Sequence, residues 1–240
     1  APVPAGELDR ISGIAQVLEV DALDDASGVD VEAGDDTHGE RHAGSLPSRR
    51  LRFGAMSPLE QVLAHAATAP PSCGSVRVIA IDGRSGSGKT SLAREVAHAW
   101  DSPLVSMDSI YPGWSGLAAA PDLLLAHVLH PLARGDQPAV PTWDWLAERP
   151  GPVLPLAVDD RLVVEGCGAT VGQAGGLAGT RVWLDGPADL RRQRAIARDG
   201  AVFEEHWEMW AEQEAAVFAA DHTRERAHLT FGMAEAEGPA

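Results

Sequence analysis

The chain has no asparagine and a single lysine, Lys89; every other strong base is arginine. Without asparagine there is no N-K-x-D segment, which excludes the signature by which guanine-specific switch proteins read their base. Cysteine is scarce too. Cys73 and Cys167 lie far apart without metal-ligand spacing, as expected of reduced thiols in a cytoplasmic protein. No apolar run approaches the roughly 18 residues of a membrane span, and the first residues lack the basic-plus-apolar pattern of a secretory leader. Bases are outnumbered, 19 Lys and Arg against 35 Asp and Glu, for a net charge of −16. Counterion release from a nucleic-acid backbone needs clustered bases, so nucleic acid is not an expected partner.

The one lysine stands in Gly83-Arg84-Ser85-Gly86-Ser87-Gly88-Lys89-Thr90, which reads G-x-x-x-x-G-K-T, the phosphate-binding loop pattern. Its context fits. The run Val76 to Ile81 before it is short, β-branched and strand-like, and Leu92, Val96 and Trp100 behind it recur every four residues on one helical face. Glycines let backbone N–H groups turn inward around phosphate oxygens. The helix that follows adds the positive end of its dipole. In this pattern Gly83 to Ser91 cradle a nucleotide phosphate, Lys89 reaches the β- and γ-phosphates, and the Thr90 hydroxyl holds Mg²⁺. ATP and Mg²⁺ are the expected ligands.

Residues 1–57 differ from the rest. Asp21 to Glu40 is dense in Asp, Glu and Gly, lacks aromatics and reads as disordered. Ile11 to Val20 forms at most a brief helix, and Arg49, Arg50 and Arg52 form a small solvated cluster. The folded unit is expected over 58–240, opening at Ser57-Pro58-Leu59-Glu60, a helix cap with proline in the first position.

Within that unit the strands end in acids. Pro103 to Met107 ends at Asp108, and Asp160 to Val164 ends at Glu165-Gly166. Residues just past strand C-termini line the crevice of a parallel sheet. Asp108 is therefore a candidate general base or Mg²⁺ contact, with a turn-forming or capping aspartate as the competing reading. Glu165 is a candidate second metal acid. A helix over Pro121 to Leu132 carries His127 and His130, a spacing without an evident third ligand. Pro138 to Trp145 reads as irregular and proline-pinned, its tryptophans either stacking on a ring or covering the core. Thr170 to Gly179 reads as a flexible glycine-rich loop, and Arg181 to Asp185 as a fourth strand. Arg191, Arg194 and Arg198 share one helical face, as a lid clamping the transferring phosphate or as an ion-paired solvent face. A last helix, Phe203 to Ala219, has an apolar stripe suited to the core, and Ala227 to Phe231 is a candidate final strand.

Taken together, Val76 to Phe231 resembles the P-loop nucleoside and small-molecule kinases of the uridine kinase/phosphoribulokinase type. Asp108-Ser109-Ile110-Tyr111 stands where that family has D-D-F-Y, and Pro141-Thr142-Trp143-Asp144 where it has P-x-Y-D. Val164-Glu165-Gly166 matches its V-E-G strand end, and Arg191 to Arg198, followed by Asp199, its arginine-rich lid. The resemblance implies an α/β fold, a five-stranded parallel sheet sandwiched by helices. It also implies transfer of phosphate from ATP to a small-molecule hydroxyl, with Tyr111, Trp143 and Asp144 near the acceptor. Ser109 replaces the second acid, which affects the metal arrangement, and Trp143 replaces a tyrosine, which argues against uridine itself. The alternatives are a regulatory NTPase and a catalytically idle nucleotide binder acting through a protein partner.

Limited proteolysis should cut within residues 1–55 first. A chain starting at Met56 should keep its melting temperature and nucleotide affinity, and a large loss of either would show that the acidic segment packs on the domain.

Overall fold

The computed structural model of the chain describes residues 56–233. The expected acidic extension, the Ile11 to Val20 patch and the arginines at 49, 50 and 52 lie outside the described residues. Helix α1 (Pro58–Thr68) begins with a reciprocal cap. The Ser57 hydroxyl accepts from the Glu60 amide at 3.2 Å, and the Glu60 carboxylate accepts from the Ser57 amide at 2.7 Å.

From there strands and helices alternate: β1 (Arg77–Gly83), α2 (Lys89–Ala99), β2 (Leu104–Ser106), then the one-turn helix Met107–Ser109. Helix α3 follows in three pieces, Ala120–Leu124, a π-helical turn Leu125–Leu129, and His130–Arg134. The wide turn has a local cause. Pro131 has no N–H for the His127 carbonyl, and its ring would clash there in a regular helix. A hairpin comes next, β3 (Ala139–Asp144) and β4 (Arg149–Pro155), then β5 (Arg161–Glu165), a short α4 (Gly172–Gly176) and β6 (Thr180–Asp185). The long α5 (Ala188–Asp221) breaks at Gly200, where φ is 74° and ψ −160°, and β7 (Leu229–Gly232) ends the described chain. The stretch expected to be a flexible glycine loop thus contains α4, and the two helices expected after β6 are two arms of α5.

Five strands make one parallel sheet in the order β2-β5-β1-β6-β7. Helices cover both faces, as the sequence pattern requires. On β1, Ile79 and Ile81 face Val62 and Ala66 of α1 and Leu92 and Val96 of α2. Val78 and Ala80, one residue out of step, face the opposite core, where Leu124, Val128 and Leu132 of α3 and Phe203, Trp210 and Phe218 of α5 collect. Full burial of such a Leu or Val stabilises the fold by roughly 1.5–3 kcal/mol. Register brings the functional ends level, with Ile81 and Ser106 both paired to Glu165 across adjacent strands.

The proline-rich segment is the main departure from the sequence reading. Instead of irregular chain it forms the antiparallel β3–β4 ribbon, with register shifting between Pro141 and Trp143. A two-stranded ribbon turns half of its N–H groups outward, so Pro141, Pro150 and Pro152 cost it little. Asp144, expected near the acceptor, closes this hairpin. Its Oδ1 accepts from the amides of Leu146 at 3.1 Å and Ala147 at 2.9 Å. Asp144→Ala should cost about 1 kcal/mol, the worth of a lost cap, and lower the melting temperature by roughly 2–4 °C. Nucleotide affinity should not change, and a calorimetric scan beside an ATP titration checks both.

Candidate active site

The phosphate loop joins β1 to α2, and Gly88 is the N-cap of α2 with φ 94° and no capping side chain. Any residue with a Cβ is strained at so positive a φ, which accounts for the glycine. Gly86 answers a different demand, since a Cβ on it would lie 2.1 Å from the Arg191 carbonyl oxygen. Lys89 is buried, 7 % exposed, and its Nζ donates to the Arg84 carbonyl at 2.9 Å. Burial alone would lower its pKa. Its neighbours Cys167, Glu214, Glu165 and Asp82, in that order, outweigh that and leave the pKa raised, so the ammonium stays charged.

Three acids approach the loop from different strand ends. Asp82, fully buried, accepts from the amides of Gly83, Gly168 and Thr170 and from the Thr170 hydroxyl, all within 2.9 Å. Glu165, at the end of β5, accepts from Ser106 Oγ at 2.8 Å and from Thr90 Oγ1 at 3.3 Å. Burial pushes its pKa up, and nearby Asp108 pushes it further. Burial also raises the pKa of Asp108, with Arg198 and Lys89 pulling it down and Asp199 adding to the rise. Arg198 binds Asp199 through two parallel hydrogen bonds of 2.7 and 2.6 Å at the break in α5.

Glu165, Asp108, Arg198 and Asp199, though not Asp82, meet in one cleft, partly open to solvent. Its floor is Ser85, Gly86, Lys89 and Thr90, with Asp108, Glu165, Arg198 and Asp199 around it. Its far wall is aromatic: Tyr111, Trp114, Trp145, Phe203 and Trp210. The rings support one another. Tyr111 meets Trp210 edge-on at 4.9 Å, and Trp114 stacks on His206 at 4.2 Å while leaning on Trp145 at 4.9 Å. Trp145 also donates its indole N–H to the Asp108 carbonyl at 3.0 Å, tying the hairpin to the acid. The Tyr111 hydroxyl donates to the Cys167 carbonyl at 2.9 Å.

Lys89, Thr90, Asp108, Tyr111, Glu165 and Arg198, all singled out in the sequence, therefore share this cleft. Others do not line it. Gly83 packs against Leu184, Arg84 leans toward Asp185 at 3.9 Å, and Ser91 is exposed on α2. Ser87 is buried in the loop, its hydroxyl without a partner among the described residues. Trp143 lies against Gly113 rather than in the cleft, and the residue two further on, Trp145, takes the place expected of it. Arg194 is half-buried and outside the lining.

Arg191 requires a correction. It does not arch over the loop as a lid; it is 6 % exposed and donates to the Ser85 carbonyl at 3.1 Å and the Gly186 carbonyl at 3.0 Å. Arg191 and Arg198 share a helical face, but seven residues of helix separate them by about 10 Å. One reaches the foot of the loop and the other the cleft. The sequence reading missed Glu214, 0 % exposed, which accepts from the Ser85 amide at 2.7 Å and from Cys167 Sγ at 3.2 Å. An acid inside the apolar stripe of α5 was its available signal. Asp82 signalled itself only by preceding the glycine loop.

The residues suit the expected ligands. The N-terminus of α2 is uncapped by any side chain, and the buried Ser87 hydroxyl is a spare donor for an anion. Thr90, Asp108 and Glu165 offer only hard oxygen donors. Among the described residues no group of three or more His, Cys, Asp or Glu converges as a metal site. Mg²⁺ takes one or two carboxylates and keeps the rest of its shell for water and phosphate.

No family model matches the chain, and no curated protein matches it. Solved structures do. A possible uridine kinase from Bacillus stearothermophilus superimposes with a TM-score of 0.49 at 20% identity, over 71% of this chain and 96% of that one. Shikimate kinase from Bacteroides thetaiotaomicron gives 0.34 at 18% identity, over 65% of this chain and 86% of that one. Both scores are low. The phosphate-loop α/β fold rests on the chain's own topology, and the reading of its site on the geometry above.

Proposed function

We propose that the chain is an ATP- and Mg²⁺-dependent phosphotransferase acting on a hydroxyl of a small molecule. The observation that carries this reading is the single cleft in which Lys89, Thr90, Asp108, Glu165 and Arg198 face an aromatic wall. A nucleotide switch needs the loop and the metal acids. It does not need a ring-lined compartment beside them, and that compartment supports an acceptor molecule with a flat or ring-shaped body. Nucleosides and ring-bearing natural products fit this description better than open-chain sugars.

In this reading the loop amides and Lys89 hold the donor phosphates, and Thr90, Glu165 and Asp108 are the groups available to Mg²⁺. Bound there, Mg²⁺ would neutralise phosphate charge. The acceptor oxygen bonds to the γ-phosphorus while the bond from that phosphorus to the β,γ-bridging oxygen breaks, and ADP leaves. Asp108 takes the proton of the acceptor hydroxyl. Its raised pKa makes it a better base than a solvent carboxylate, and the Trp145 hydrogen bond fixes its backbone. Arg198, rather than Arg191, is the arginine that faces the transferring charge. The aromatic wall keeps bulk water from competing as the acceptor.

Acceptor-dependent ADP release, screened across nucleosides and ring-bearing alcohols, tests the reading. Strong stimulation by one acceptor class is expected; turnover unaffected by every acceptor would move the protein to the regulatory class. Lys89→Ala should remain folded by circular dichroism and lose turnover, and normal turnover in the folded variant would sink the site. Asp108→Asn should lower kcat by about 10² to 10⁴-fold with ATP affinity little changed. Because a base must be unprotonated and burial raises this pair of acids, kcat in the unmodified protein should fall with decreasing pH. The midpoint should lie above the ordinary carboxylate range, belong to the Asp108–Glu165 pair, and shift in Asp108→Asn.

A further inference from the structure

Helix α5 grips one residue of the phosphate loop from two sides. From the arm before the Gly200 break, Arg191 donates to the carbonyl of Ser85 at 3.1 Å. From the arm after it, Glu214 accepts from the amide of the same Ser85 at 2.7 Å. Both backbone groups of Ser85 are thereby committed, and with them the two peptide planes that lead into Gly86. A third tie is steric, because Gly86 sits so close to the Arg191 carbonyl that no side chain fits. Arg191 Nη1 and Glu214 Oε2 stand 3.9 Å apart, beyond hydrogen bonding, and Oε2 is buried with no hydrogen-bond partner.

A carboxylate with 0 % exposure and one oxygen unsatisfied is a poor stabilising device. Burying a charge costs more than such an arrangement returns, and an apolar side chain of similar volume would serve the core better. What the carboxylate does, and an apolar group cannot, is hold a loop N–H in a fixed direction. The helix that provides this grip also provides Arg198, Asp199, Phe203 and Trp210 to the cleft.

We infer that Glu214 and Arg191 are positioning residues for phosphate binding, which together hold the Ser85 backbone so that the loop stays in its anion-accepting shape. Neither touches the reacting atoms. The inference rests on the proposed nucleotide reading of the loop, so its test begins with MgATP binding to the unmodified chain.

Glu214→Leu, which has no acceptor for the Ser85 amide, and the double variant Glu214→Leu with Arg191→Met are compared by MgATP titration and by melting in the absence of nucleotide. The single change leaves Arg191 with Asp185 as its remaining acid at 3.3 Å, whereas the double change removes the buried guanidinium as well. Glu214→Leu should weaken MgATP at least ten-fold. The double variant should not regain affinity whatever its melting temperature, because the Ser85 amide and carbonyl stay unheld. Return of affinity in the double variant would overturn the inference, showing that the pair only balances charge. Wild-type affinity in Glu214→Leu would overturn it as well. If that variant fails to fold, tight MgATP binding by the double variant decides against the inference and weakened binding for it. Absence of MgATP binding in the unmodified chain would take down the nucleotide reading itself, whereas binding there with unaffected variants removes only the role of Glu214 and Arg191.

Discussion

The top of the sheet hangs on the Asp82 carboxylate. It is shut off from water and receives three backbone N–H groups and a hydroxyl, from the phosphate loop on one side and the Gly168–Thr170 turn on the other. No arginine or lysine pairs with it at salt-bridge distance among the described residues, so directed hydrogen bonds, not a counter-ion, satisfy it. Burial raises its pKa while those same bonds work to lower it. Because its partners come from the loops after β1 and β5, the distance between Lys89 and Glu165 is set by a rigid polar joint as well as by strand pairing. Loss of that side chain would orphan several buried donors at once, each at a cost of about 1–3 kcal/mol.

Around this joint the charges are arranged for different ends. Glu214 and Arg191 lie behind the loop, and Asp108, Glu165 and Arg198 lie before it. Lys89 stands between the two groups and feels both sets of acids. The acids in front share a cleft in which desolvation and mutual repulsion favour holding a proton. A polyanionic phosphate would be repelled by them in isolation. The uncapped helix terminus, the ammonium and a hard divalent cation are the elements that turn the local field in its favour.

Much of this was legible in the sequence, and the failures have physical causes. Strands, glycine loop and helix announce themselves through β-branched runs, φ-permissive residues and four-residue periodicity. Asp108 and Glu165 follow because parallel strands end at a common edge. The aromatic wall was harder. Trp143 and Trp145 are two apart and nominally on one face, but the strand ends at Asp144, so Trp145 belongs to the turn, and only Trp145 reaches the cleft. Asp144 went to the turn because a short carboxylate bonds most readily to amides two and three residues on. Helical periodicity groups Arg191 with Arg198 by face, but their different heights along the helix send one to the Ser85 carbonyl and the other to the cleft. Glu214 is a contact across 129 residues of sequence, and no local pattern encodes the partner of an amide that distant.

The burial of Lys89 has a practical side that follows from its solitude. Acylating and reductive-alkylation chemistry, spread over many sites in most proteins, finds a single side-chain target in this one. That target is an ammonium kept charged by neighbouring acids and folded onto the Arg84 carbonyl, so it reacts only as fast as the loop lets go of it. The rate of lysine modification, read on the peptide that carries Lys89 and so apart from any α-amino group, is thus a direct clock for opening of the phosphate loop.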